Sequence, residues 1–217
     1  SIYRVKIEWS TQVYLYGHPM SGNAHRVQAL LSILDIEYDY INVDLRSGEH
    51  KQPDFLQKNP LGQVPVLEDG DVVLRDSSAI FNFIPQIFDS AKRRLPADPA
   101  GAAQVQQWLS TAVNEINAGP FRLRVIKLLG ASLDYDAALA VTKWIFGDLF
   151  DPHLAKKTWL VGDAPTIADL ACYSYIARVT EGDFDLSAYP SIQAWLARVE
   201  KIDGYVPKVN AKDLTGG

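Results

Sequence analysis

Two kinds of apolar spacing follow one another along the chain, and they divide it. Up to about residue 90, strand-like runs alternate with helical spacing, whereas from Ala100 onward the spacing is helical throughout. Residues 13–16 read as a first strand. Val27, Leu30, Leu31 and Leu34 then recur at the three-and-four spacing of a helix that begins near Ser21. Tyr38, Tyr40, Ile41 and Val43 mark a second strand within residues 36–45, and Pro53 opens a short helix with Phe55 and Leu56 facing inward. Residues 77–88 form a further helix in which Pro85 predicts a bend or an early stop, because interior proline removes a hydrogen bond and costs about 3 kcal/mol. Residues 89–99 are polar and proline-bearing, the composition of a linker.

Beyond that linker, Val105, Trp108, Leu109, Ala112, Val113 and Ile116 mark one long amphipathic helix, interrupted near Gly119-Pro120 and resumed over residues 121–129. Residues 135–154 give another, with Leu139, Trp144, Ile145 and Leu149 as its apolar positions, and residues 189–202 a last one. Thr166, with Asp169 three residues on, predicts a capping box at the start of a helix through Leu170, Ala171 and Tyr173. Cys172 lies in that apolar helix as a packing residue. The layout is an α/β unit over residues 1–90 and an all-helical unit over 98–217, with residues 1–11 an extension of no assigned role.

The most informative stretch is residues 59–81, NPLGQVPVLEDGDVVLRDSSAIF. Val64, Val66 and Leu67 form a strand-like run with Pro65 inside it. A cis bond after Val64 would turn that residue's backbone N–H and C=O outward, ready to pair with an extended peptide. Asp69-Gly70 reads as a tight hairpin turn into Val72, Val73 and Leu74. Asp76, Ser77 and Ser78 then gather an acid, hydroxyls and free N–H groups at a helix start, suited to an amine and a carboxylate. Taken singly, Pro65 is an edge or turn proline and Asp76-Ser77 an ordinary cap. Their order along the chain carries more weight.

With that order the sequence resembles the cytosolic glutathione transferases, most closely the phi-like and bacterial serine-type members, through GEHK, NPLGQVPVLEDGD and the helix start that follows. The resemblance covers nearly everything after about residue 12. It implies a thioredoxin-like N-terminal domain that binds glutathione as co-substrate, an all-helical C-terminal domain, and a homodimer paired through the helix at 77–88, with Arg93 and Arg94 at the rim. It further implies that Ser21, five positions before Arg26-Val27, stabilises the thiolate, with Asn23 as the rival. His50 and Lys51 would meet the glycine carboxylate, Gln63, Val64 and Pro65 the cysteinyl backbone, and Asp76 and Ser77 the γ-glutamyl end, where relatives more commonly carry Glu in place of Asp76. Met20, Phe121, Arg122 and Arg124 would line the site for an apolar electrophile. Conjugation is the leading expectation. A glutathione-dependent disulfide reductase or peroxidase, or a non-catalytic binding protein, are the other uses of the scaffold.

Composition narrows the field. The formal charge is −5 with no long run of Lys or Arg, which argues against nucleic acid as a partner. One cysteine excludes an intramolecular disulfide and a CxxC centre, and no metal-ligand cluster stands out. No stretch is long and apolar enough for a membrane span or a signal-peptide core, so a soluble cytoplasmic protein is expected.

Overall fold

A computed structural model of the chain describes residues 12–214; the extension at 1–11 lies outside them. The first unit runs β1 (Val13–Gly17), α1 (Gly22–Ile33), β2 (Asp39–Asn42), a single 3-10 turn (Glu49–Lys51), α2 (Pro53–Lys58), β3 (Val66–Asp69), β4 (Val72–Arg75) and α3 (Ser77–Phe88). The sheet order is β2-β1-β3-β4, with β1 parallel to β2 and antiparallel to β3, and β3 antiparallel to β4.

Alternation along the central strands sends side chains to two different cores. Leu15 and Leu67, opposite each other in the register, face Val27, Leu30 and Leu31 of α1 and Ile80, Phe81 and Ile84 of α3. Val66, paired with Tyr16, faces the other way into a small cluster with Val43 and Phe55 of α2. The hairpin differs from expectation by one residue. Asp69 pairs with Val72, so Gly70 and Asp71 make the turn, and the positive φ of 58° falls on Gly70. Helix α3 keeps Pro85 inside it and ends at Phe88, with no early stop.

The second unit contains α4 (Pro99–Val113), a wide π-type turn (Asn117–Phe121), α5 (Arg122–Leu129), α6 (Tyr135–Trp144), a second π-type segment (Ile145–Phe150) and α7 (Asp151–Leu154). After it come α8 (Ile167–Ile176), a 3-10 turn (Val179–Gly182), α9 (Pro190–Val199) and α10 (Ala211–Leu214). Every residue of α8 is buried, and its side chains share one continuous core with α1, α4 and α9. The capping box at Thr166 forms, and Asp169 also accepts hydrogen bonds from the Leu160 N–H and from Trp195 Nε1, each at 3.0 Å. Cys172 is buried in this core and its thiol is raised by burial.

One expectation for this half needs correcting. Trp144 and Leu149 are 55% and 38% exposed, while Ile145, Phe146 and Phe150 turn inward. The stretch 89–99 is firmly tied: Asp89 accepts from the Arg94 N–H at 2.6 Å, and Ile167 N–H donates to the Arg94 carbonyl at 2.9 Å. Arg94, expected at a partner-facing rim, donates from its guanidinium to the carbonyl of Pro165 at 2.9 Å. Among the described residues no helix is long and apolar enough to cross a membrane.

Candidate active site

The two units enclose a cleft of about 840 Å³. Its sheet side begins at the loop after β1. Ser21 is the N-cap of α1, with extended backbone (φ −82°, ψ 111°), and its Oγ accepts from the Ala24 N–H at 3.2 Å. A serine oxygen that accepts from the backbone keeps its own proton for another partner. The loop before it is braced twice: Ser21 N–H donates to the His18 carbonyl at 2.8 Å, and Met20 N–H to His18 Nδ1 at 3.1 Å. That second bond requires Nδ1 to be unprotonated, and burial lowers the His18 pKa in the same sense.

The next wall is the loop between α2 and β3. Asn59 organises it, donating from Nδ2 to the Gln63 carbonyl at 2.7 Å and accepting from the Leu61 N–H at 3.0 Å. Lys51 Nζ donates to the carbonyls of Leu61 and Gly62 at 3.1 and 2.9 Å, so it braces this loop as well as lining the cleft. Gly62 has φ 56°, and a Cβ there would stand 2.6 Å from the His50 carbonyl oxygen. His50 Nδ1 is buried and makes no hydrogen bond among the described residues. The Val64–Pro65 bond is cis, as expected from the proline inside the run.

At the head of α3, Asp76 has φ 73° and caps the helix through Oδ1, which accepts from Ser78 N–H at 2.8 Å and Ala79 N–H at 3.2 Å. Ser77 is buried and its Oγ accepts from the Arg26 guanidinium.

Of the residues singled out from the sequence, Met20, Ser21, Asn23, His50, Lys51, Gln63, Val64, Pro65, Asp76, Ser77, Phe121 and Arg124 all line this one cleft. Arg122 does not; it is exposed on the outer face of α5. The spacing in residues 121–124 could not tell the two arginines apart, because the π-type turn just before them shifts the helix phase.

Sequence reasoning missed Tyr175. It lines the floor of the cleft from α8 and packs edge-on against Phe121 at 4.9 Å between ring centroids. Its ring lies so close to Gly22 that a Cβ there would come within 2.8 Å. Burial raises its pKa, opposed by Arg26, Arg124, Arg178 and the Asn23 N–H. Its place inside an apolar helix gave no signal of a cleft residue. Among the described residues, no group of three or more His, Cys, Asp or Glu is arranged to hold a metal.

A small mixed sheet with a cis-proline just before its third strand, closed over by an all-helical unit, defines the glutathione transferase class of fold. Sequence comparison agrees with it on both halves: the profile of the glutathione S-transferase N-terminal domain matches residues 11–86 and that of the C-terminal domain residues 136–203. Glutathione S-transferase 3 of Zea mays is 36% identical over 193 residues, covering 83% of this chain and 86% of that protein. Among solved structures, a glutathione S-transferase from Pseudomonas fluorescens is 33% identical with a TM-score of 0.81, covering 91% of this chain and 99% of that one. A glutathione transferase homologue from Drosophila mojavensis, solved with bound glutathione, is 27% identical with a TM-score of 0.81, covering 88% and 89%. The chain belongs to the glutathione S-transferase family, a family of transferases.

Proposed function

We propose that the protein binds glutathione in the cleft and transfers its thiolate to an apolar electrophile, with Ser21 as the group that stabilises the thiolate. The observation that carries this reading is the Ser21 hydroxyl at the start of α1, lining the cleft with its oxygen occupied by the Ala24 N–H and its proton unassigned. A free thiol with a pKa near 8.5 is a few per cent ionised at neutral pH. Lowering it by about two units takes about 2.7 kcal/mol of preferential stabilisation. A hydroxyl donating to a charged sulfur supplies roughly 1.5–3 kcal/mol, and a helix N-terminus adds roughly 0.3–1.

The rest of the cleft suits the peptide. The chain edge before β3, at Gln63 and Val64, would pair with the cysteinyl backbone, while His50 and Lys51 would meet the glycine carboxylate. Asp76 Oδ2 and the Ser77 hydroxyl would hold the γ-glutamyl end. The ionised sulfur attacks the electrophilic carbon, a C–S bond forms as the leaving group departs with its electron pair, and the thiol proton passes to water. Met20, Phe121, Val125 and Leu128 give the second substrate an apolar wall. Two copies of the chain would pair through α3.

Asn23 lines the same cleft two residues on, which favours one other reading: a disulfide reductase in which Asn23 faces the sulfur. The test compares Ser21→Ala with Asn23→Ala in conjugation of an aryl halide and in reduction of a glutathione mixed disulfide. Loss of conjugation by at least about tenfold in Ser21→Ala, with glutathione affinity little changed, is the expected result. Full turnover in Ser21→Ala together with its loss in Asn23→Ala would overturn the serine assignment.

A further inference from the structure

Arg124 crosses from the helical unit to a backbone atom of the loop that carries Ser21. It is 4% exposed. One Nη donates to the carbonyl of Met20 at 3.0 Å, and Nε is paired with the carboxylate of Glu181. The other Nη is buried with no hydrogen-bond partner among the described residues. The guanidinium therefore faces protein more than any occupant of the cleft, although the residue lines it.

Glu181 is itself held. Its second carboxylate oxygen accepts from the backbone N–H of Ala211 at 2.8 Å, at the start of α10. The next residue, Gly182, lies flat against α5: a Cβ there would come 2.7 Å from the Leu123 Cβ and 2.9 Å from the Arg124 nitrogen. Tyr135 donates to the Gly182 carbonyl at 3.0 Å. A buried guanidinium needs its charge matched, and once Glu181 matches it the rigid planar fork fixes where the remaining N–H groups point.

We propose that Arg124 and Glu181 are positioning residues for the thiolate, fixing the Met20 backbone and through it the direction of the Ser21 hydroxyl, with Ala211 of the C-terminal segment steadying the pair. This rests on the Ser21 reading above. Met20 has both backbone groups engaged, its N–H by His18 and its carbonyl by Arg124, so the residue that follows has little freedom in where its side chain starts. Hydrogen bonds weaken steeply with angle, and a misplacement of about 1 Å can cost roughly a hundredfold in rate. The position that looks from sequence like a substrate contact thus acts through the loop.

Two variants test this. Glu181→Gln keeps the shape and removes the charge. Ala211→Pro deletes one N–H at a helix position that accepts proline. The readouts are the titration of bound glutathione followed by thiolate ultraviolet absorbance, turnover, glutathione affinity, and amide exchange over residues 20–24. In Glu181→Gln the bound thiol should titrate about one pH unit higher, with turnover down about tenfold, affinity changed less than about twofold and faster exchange in the loop. Ala211→Pro should move the same readouts the same way by less. A merely structural pair would lower the melting temperature and leave the titration of the folded protein where it was, which would overturn the inference alone. A parent protein that binds glutathione without lowering its thiol pKa would overturn the Ser21 reading and this inference together.

Discussion

Arg26, buried at the second turn of α1, donates from Nε to the hydroxyl oxygen of Ser77 at 3.0 Å, and one of its Nη groups bonds the same oxygen. Both lone pairs of that oxygen are then occupied, so the one thing Ser77 has left to offer is its proton. A hydroxyl restricted to donating, at a helix N-terminus, selects an acceptor such as a carboxylate. A further bond of Arg26 goes to the Ala171 carbonyl at 3.1 Å; Ser77 thus helps hold a buried cation in addition to the binding role proposed for it.

Ser77→Ala should therefore lose on both counts. Removing the shared acceptor from a buried cation costs about 2–4 kcal/mol, visible as a lower melting temperature, and calorimetric titration should show weaker glutathione binding. Unchanged thermal stability would mean that the Arg26 charge is matched elsewhere.

On the proposed reading Asp76 divides its carboxylate between two tasks. Oδ1 caps α3, and the residue also lines the cleft. Asp76→Asn keeps the cap and removes the charge, so glutathione affinity should fall about fivefold, near 1 kcal/mol for a half-exposed ion pair, while the melting temperature stays put. An unchanged dissociation constant would confine Asp76 to capping.

Acid should unsettle the fold through His25. Burial, with Arg178 adding to it, lowers its pKa from the ordinary 6.5 to about 4, while Nε2 donates to the Val206 carbonyl at 2.9 Å. Tyr173 and Tyr205 pack against the ring, and Lys208 adds a further positive charge nearby. The folded state prefers the neutral ring, so the unfolded chain binds the extra proton first. The contribution is complete above pH 6.5 and is lost as pH falls toward 4, in total about 3 kcal/mol. Urea unfolding of His25→Gln across that window should show a shallower loss of stability than the parent. An equal slope would assign the acid sensitivity to other groups.

Pairing through α3 has a direct measurement. Phe81 and Ile84 are buried within one chain, while Phe83, Ile87 and Phe88 are covered only in part, leaving apolar area for a two-fold contact. Light scattering at micromolar concentration should give twice 24.1 kDa; a mass near 24.1 kDa would remove the dimer.

Local signals made much of this molecule legible from its sequence. The cap at Thr166 and the start of α1 at Ser21 are written in adjacent residues, and the proline inside a strand-like run pointed to its own cis bond, although β3 itself begins just after it at Val66. What misled were features that change phase. In the π-type segment Ile145–Phe150 the turn is wider than 3.6 residues, so the buried positions run Ala138, Thr142, Ile145, Phe146, Phe150 and Leu154, and a regular helical count leaves Leu149 on the wrong side; Trp144 lies off that face by any count, its apolar character notwithstanding. Asp69 joined the ladder as the partner of Val72, and the positive φ of the turn fell on Gly70. Arg26, Arg124 and Tyr175 bear on the cleft through partners 51, 104 and about 150 positions away, distances over which spacing carries no information.

Gly22 has a consequence for anyone recoding this site. The residues on either side of it face the cleft, whereas the ring of Tyr175 fills the space where its own side chain would stand. A mutant library aimed at new chemistry can vary position 23, and position 21 among residues that still cap α1, but should hold 22 fixed, because even alanine would push the helix start off the aromatic floor and shift both neighbours at once. Admitting a side chain there would first require a smaller residue at 175, so the two positions form a single design variable.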